Sequence, residues 1–494
     1  MRLWIALYLP QLPLEVFCPN WSSDKGAVVL EQDRVLALSR LAAAAGLRPG
    51  VRRGGVQMLM PDAVLLERDP AREAEALHAV SMALLQYTPQ VAQAEESTLL
   101  MDVGASLRLF GGPRALCARV RASVRALGYT GALSCAPTAR GAWLLARHRG
   151  GRALRMPSLV RRLDRLPVHL LPPARPFDAW FDGIGCATLG DLRRLPRPGL
   201  QRRCGRALID MLDAAHGMTP ELFEWIEAPV TFRAKMELFD RVEKADELMA
   251  GAQSLLQQMT GWLCAHQLAV ERITLALEHE RGKVARPPTQ VEVVLAEATW
   301  RDEHLVRVLK ERLGRVELDA PVIGLCLEAP QVQAMEPPSE SLFPEPGGSE
   351  EDQQRMFELL AARLGADNVL QAAPQADYRP ELANQWVPVQ KKTRSTIASR
   401  SSMPPNPASL PRPTWLLKKP IALLMRDHRP FYGSPLKMVS TPERIEAGWW
   451  SDSQARDYFI AEGADHAHYW VYRERIVGSG EDAAPRWYLH GLFG

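Results

Sequence analysis

The chain has 494 residues, with 60 Lys and Arg against 57 Asp and Glu and a formal net charge of +3. So even a balance says little by itself, and any charged function has to come from local clustering. At 47% hydrophobic and 24% charged, the composition is that of a globular protein of three or four domains, not of a disordered or fibrous chain.

No apolar run approaches the roughly 18 residues of a membrane span. The opening MRLWIALYLPQL lacks the charged start and cleavage site of a signal peptide and reads as a first strand. The seven cysteines (Cys18, Cys117, Cys135, Cys186, Cys204, Cys264, Cys326) are odd in number and scattered, without a CxxC pair. They are expected to be reduced thiols of a cytoplasmic protein, with no metal or disulfide role.

Residues 3–9 (LWIALYL) form a continuous apolar run, fit for a strand buried on both faces, and Pro10 and Pro13 end it. A helix can open at 12–17. Residues 27–38 read as two strands around a Glu-Gln-Asp turn, and 39–45 as a short alanine-rich helix capped by Gly46. A strand is expected within 59–67, and a long amphipathic helix over 70–87. A strand pair is expected around 95–110, where Thr98, Leu100 and Asp102 alternate with Leu99, Met101 and Val103 before Gly104 interrupts. A helix over 113–127, a strand over 131–137 and a helix over 138–147 come next. Residues 163–224 look all-helical. Strands at 269–280, 290–295 and 322–329 and helices at 243–265 and 301–314 give 231–327 a mixed character. Residues 335–352 are acidic and rich in Pro, Gly and Ser, while 391–413 is a basic low-complexity linker.

The ordered set "RVLALSRLAAAAGLRPGV", "LLMDVGASLRLFGG" and "LSCAPTARGAWLLA" behind an apolar first strand resembles the Y-family (DinB/UmuC-like) DNA polymerases. The C-terminal "STPERIEAGWW", "RDYFI", "YWVYRER" and "RWYLHGLFG" are similar to the non-catalytic branch of that family found in bacterial mutasome operons. The resemblance implies an α+β multidomain chain. Residues 1–22 and 68–160 would be palm-like, 23–67 fingers-like, 161–228 a helical thumb with a helix–hairpin–helix, and 229–334 little-finger-like. A flexible tail and linker would span 335–412, and an aromatic-rich partner-binding region 413–494.

Active members hold two divalent cations on carboxylates, because the attacking and leaving oxygens need a positive clamp. The resemblance puts the first-strand Asp at Ala6, beside Leu7 and Tyr8, and the Asp-Glu pair at Ser97-Thr98. The triphosphate-holding Tyr and Arg fall on Arg40 and Ala43, and a further Lys near Trp143. On an extended strand Glu95 would lie about 6.6 Å from Ser97, whereas metal–oxygen bonds are about 2.0–2.6 Å. No catalytic residue, metal site or cofactor is therefore expected. Asp102 reads as a strand-end residue capping the Gly104 turn, and His148, His216 and His266 as structural or surface groups. The alternative is an active translesion polymerase with unusual metal ligands, and a third reading is a DNA-binding module without mutasome partners.

Between Arg140 and Arg206 there are fifteen arginines and no lysine, against four aspartates, which suggests phosphate contact. Within that window "FDGIGCATLGDL" resembles a helix–hairpin–helix turn. Gly183 and Gly185 would let the backbone approach a phosphate, amides at the next helix start would donate to it, and Arg193 and Arg194 would add charge. Arg233, Lys235, Arg272 and Arg281 either track a duplex or are ordinary surface charges. Ser339, Leu342 and Phe343, in an acidic tail, resemble the bacterial sliding-clamp-binding motif, with Ser339 where Gln is usual. Residues 353–364, apolar at Met356, Leu359, Leu360 and Leu364, would dock a partner or fold back. The aromatics of 415–494 either fill a small β-rich core or form an interface. The resemblance implies four partners: DNA, the sliding clamp, a RecA-like accessory protein and an error-prone C-family polymerase.

Overall fold

The computed structural model describes residues 2–280, 286–335, 350–375, 377–389, 411–447, 454–475 and 486–493. The chain divides into two compact units, Met1–Arg363 and Leu364–Gly494.

In the first unit the order is β1 (Trp4–Tyr8), α1 (Leu12–Glu15), β2 (Ala27–Glu31), β3 (Arg34–Leu38), α2 (Arg40–Ala44), α3 (Arg53–Leu59), β4 (Val64–Glu67) and α4 (Pro70–Leu84). Then come β5 (Val91–Ala94), β6 (Thr98–Asp102), α5 (Pro113–Ala126), β7 (Ala132–Ala136), α6 (Ala139–Arg147), β8 (Gly151–Arg152) and α7 (Met156–Leu163). A helical run is next: α8 (Asp178–Gly183), α9 (Leu189–Arg194), α10 (Arg197–Cys204) and α11 (Arg206–Ala215). The unit closes with β9 (Arg233–Val242), α12 (Met249–His266), β10 (Leu268–His279), β11 (Thr289–Thr299), α13 (Asp302–Leu313), β12 (Val322–Ala334) and α14 (Glu350–Leu364).

β1 is the middle strand of a five-stranded sheet of order β5-β6-β1-β7-β8. Leu3, Ile5, Leu7 and Leu9 enter one core with the helices α4 and α5, while Trp4 and Ala6 enter another with α6 and the helical run. Both faces are covered, so the apolar run needs no alternation. Caps set the helix starts: Ser39 accepts from Ala42 N, Asp69 from Ala71 N and Arg72 N, and Thr138 from Gly141 N. Gln32 and Asp33 both take positive φ, closing the β2–β3 hairpin tightly. β2, β3 and β4 form their own sheet of order β3-β2-β4.

β9 to β12 make a separate sheet of order β11-β10-β12-β9. Its helix α12 packs against α4, and one continuous core runs from the first sheet into the second. Gly261 makes that approach possible, because a Cβ there would overlap the Met82 carbonyl oxygen.

Several expectations are corrected. The strand pair lies at 91–94 and 98–102, not at 95–110, so Glu95, Glu96 and Ser97 form the hairpin turn, with φ of 58° and 50° at Glu96 and Ser97. The helical run ends at Ala215 instead of reaching 224. Beyond it the chain lies back on the first sheet, where Trp225 bridges to Ala92 and Phe223 and Trp225 pack on Trp4. Phe223 is half-buried there and Trp225 stays exposed on one side, so ring contacts with Trp4 take the place of a further helical turn. α3 and β9 had no sequence signal clear enough to separate them from loop.

α14 folds back on the second sheet. Glu358 accepts from His304 Nε2 at 2.5 Å, and Ala361 and Ala362 are buried, whereas Met356, Leu360 and Leu364 are exposed. Of the four apolar positions Leu359 packs on the core, beside Ala362 and the buried His304–Glu358 hydrogen bond. All seven cysteines are free, with Cys18 and Cys264 only partly buried.

The second unit is β-rich. It has a six-stranded sheet in which Trp415–Ala422, Trp487–Leu492, His468–Glu474 and Gln454–Glu462 lie side by side. Tyr458, Trp470 and Tyr472 are buried and stacked within it, while Trp415, Trp386 and Tyr378 are exposed. The aromatics thus divide between core and surface.

Candidate functional site

The register brings the polymerase-type positions together. Ala6 pairs with Leu100 and Tyr8 with Thr98, so Ala6, Tyr8 and Thr98 share one face and Ser97 lies in the adjoining turn. Ala6 and Thr98 are fully buried, and the Thr98 hydroxyl donates to Glu96 O at 3.0 Å. No carboxylate projects from any of these positions.

α6 seals the face. Trp143 is fully buried and donates Nε1–H to Glu95 O at 3.1 Å. Arg140 and Arg147, one turn either side of it, lie over its ring at 5.1 and 4.4 Å, and Arg147 also lies over Tyr8. Arg140 is ion-paired with Glu95 at 2.6 Å. Arg147 pairs with Glu96, which also takes Arg175 at 2.7 Å. Burial would raise the Glu95 carboxyl, but the Arg140 hydrogen bond and charge overcome it and hold it below the usual value. Burial, then the neighbouring Arg175, pulls the Arg147 guanidinium down.

Extended-strand geometry therefore does not apply to Glu95 and Glu96. They sit in the turn, and three guanidinium groups engage them. This cluster was missed from sequence, although Arg140, Trp143 and Arg147 at i, i+3 and i+7 carried the signal of a single helix face. Asp102 Oδ1 accepts from Gly104 N at 3.1 Å, the turn cap its position implies. Arg40 is exposed at the first turn of α2, beside Ala43.

Gly183 ends α8, and Gly185 takes φ +70° in the turn toward α9. A Cβ on either would meet nothing within 4 Å. The turn is open, but its amides are spent. Leu189 N donates to Leu166 O, Gly190 N to Asp164 O, and Thr188 N and Asp191 N are closed into a capping box. Each of these amides already has a protein acceptor in this structure. Arg193 pairs with Asp164 at 3.1 Å and Arg194 with Asp191 at 3.3 Å, the latter arginine side chain being largely exposed.

Arg233, Lys235 and Arg272 pair with Glu328, Glu278 and Glu292. Arg281, and the tail residues Ser339, Leu342 and Phe343, lie outside the described residues. Of the histidines, His216 is buried with Nδ1 on Leu212 O, and His266 meets Pro229 O. Among the described residues no three His, Cys, Asp or Glu side chains group as metal ligands. No helix of those residues is long and apolar enough to cross a membrane.

Residues 16–147, from just after α1 to the end of α6, match the impB/mucB/samB family model, which leaves β1 and β8 outside the matched stretch. Over most of its length the chain is similar to Protein ImuB from two strains of Caulobacter vibrioides, at 26% identity over 481 residues, 91% of this chain and all of the relative. Two solved structures are also similar: a Dbh ternary complex with partially disordered substrates, and an insertion ternary complex of Dbh DNA polymerase. Each is 15% identical with a TM-score of 0.37 and covers 67% of this chain, and 100% and 99% of their own chains are matched.

Proposed function

We propose that this chain is a non-catalytic, polymerase-like scaffold for translesion DNA synthesis and damage-induced mutagenesis. It holds DNA and tethers to the sliding clamp through Ser339, Leu342 and Phe343. It recruits the RecA-like ImuA and the error-prone C-family polymerase ImuC.

One observation carries the reading. At Ala6, Ser97 and Thr98, where two-metal chemistry needs hard oxygen ligands, the side chains carry no charge, and the guanidinium of Arg147 caps the same sheet face. Phosphoryl transfer is catalysed almost wholly by positioning and by stabilising charge on the transferred group. A site that offers cations no anionic ligand cannot assemble that clamp, and the two nearby glutamates are already neutralised by arginine.

Primer extension by the purified chain with magnesium or manganese tests the first half, and nucleotide incorporation overturns it. For the tether, the unaltered chain should be retained on immobilised clamp, and Leu342→Ala/Phe343→Ala should not. Absence of retention by the unaltered chain removes the tether from the proposal.

A further inference from the structure

Part of the positive charge that the sequence concentrates in one window is spent in the fold. Arg140, Arg147, Arg175, Arg193, Arg194, Arg197 and Arg206 each face a carboxylate. A different set remains unneutralised. Arg114, Arg121 and Arg125 rise from α5 at i, i+7 and i+11, on one side of the helix. Arg149, in the loop that leads into β8, and Arg152, on β8 itself, line the same cleft. All five are exposed, and among the described residues none has an acidic partner within 4 Å.

These arginines wall two adjoining clefts. One, of about 390 Å³, is lined by Arg114, Cys117, Arg121, Arg149 and Arg152 over the backbone of Gly131–Ser134 and Gly150–Gly151. The other, of about 380 Å³, holds Arg121, Arg125 and Arg40 with Asn20, Thr130 and Gly131. Arg121 and Gly131 belong to both, so the clefts form one track. No Asp, Glu or aromatic side chain lines either. Gly150, at φ +69°, lets the loop lie flat on β7, since a Cβ there would meet Leu133 O at 2.8 Å.

We propose that this double cleft on the α5 and β7–β8 edge of the sheet is a second DNA contact, one that takes the phosphodiester backbone of a duplex. Arginine forks match phosphate oxygens in pairs, and an acid-free wall keeps each fork available. The missing aromatics argue against single strands, which are held by stacking bases on rings. Contact of this kind is independent of sequence and reports itself in salt dependence. The inference rests on the DNA-holding part of the proposed function but uses residues outside the α8–α9 turn.

The test is fluorescence anisotropy of the full chain with a labelled duplex and a single strand of equal length, over a salt series. The variants are Arg114→Ala/Arg121→Ala/Arg149→Ala/Arg152→Ala, the same four positions changed to Lys, and Arg193→Ala/Arg194→Ala. All four positions are exposed, so melting curves should match the parent. The alanine set should lower the slope of log K against log salt by about 3 to 4, roughly 1 per phosphate contact, and weaken duplex binding at least about tenfold at low salt. The lysine set should restore the slope but only part of the affinity. If the parent binds duplex and the alanine set leaves slope and affinity unchanged, the cleft assignment is wrong while the DNA-holding reading stands. If the loss appears on single strands alone, the duplex assignment is wrong. A parent that binds neither probe overturns both proposals.

Discussion

Replacing Ala6 by aspartate places a carboxylate where the proposed function needs none, and the fold makes that carboxylate costly. The Ala6 side chain is fully buried, in the cluster that contains Trp4, Leu100, Ala136 and Trp143. A carboxyl buried among such groups has its pKa raised by about 3 units. At about 1.36 kcal/mol per unit that makes roughly 4 kcal/mol lost at pH 7, before any cost of overpacking. Because the value is raised, the folded chain keeps the proton to higher pH than the unfolded chain does. The penalty is therefore full above the folded pKa and fades as pH falls toward the ordinary carboxylate value. Urea unfolding of the first unit should thus show a variant much less stable than the parent at pH 7.5 and nearer to it at pH 4.5. Ser97→Asp is the control: Ser97 is only partly buried and takes φ 50°, a conformation aspartate tolerates. It should stay near parental stability. Ala6→Asp with parental stability at pH 7.5, or magnesium-dependent incorporation by the double variant, would show that water reaches this face and that α6 does not seal it.

Trp143→Ala should cost about 3–5 kcal/mol by urea unfolding, since the ring is fully buried and carries both Arg140 and Arg147. Gly261→Val should destabilise the first unit by more than about 2 kcal/mol. Limited proteolysis should then cut between Gly217 and Phe232, because the new side chain meets the backbone of α4 and not a flexible tip; an unchanged digest would argue against the close approach. In the second unit, burial lowers His490 to about 4, against the opposing pull of Glu381, with Tyr458 on its Nδ1 and Arg456 nearby. The unfolded chain takes up that proton near the ordinary histidine value, so stability should fall by about 3 kcal/mol as pH drops from 6.5 to 4. His490→Gln should flatten that slope in a pH series of melts.

Much of the first unit was legible locally. The unbroken apolar run of β1 announced a strand covered on both sides, residues 39–45 and 138–147 read as short helices, and Asp102 two residues before Gly104 announced its turn. Each signal acts over a few residues, so sequence spacing suffices to read it. The helical run was overextended because Phe223 and Trp225 look equally apolar in a helix or lying on a sheet. The spacing of α14 allows either docking a partner or folding back, and only the fold sets Leu359 and Ala362 against the core.

The amino-acid sequence by itself determined that Ala6, Ser97 and Thr98 offer no carboxylate, since side-chain identity alone fixes the charge a position can carry. It also set how much positive charge there is. Only the tertiary structure decided where that charge is free. Carboxylates from distant segments, such as Glu95, Glu96 and Asp213, meet some arginines and not others, and a Coulomb partner is assigned by distance in space rather than by separation along the chain.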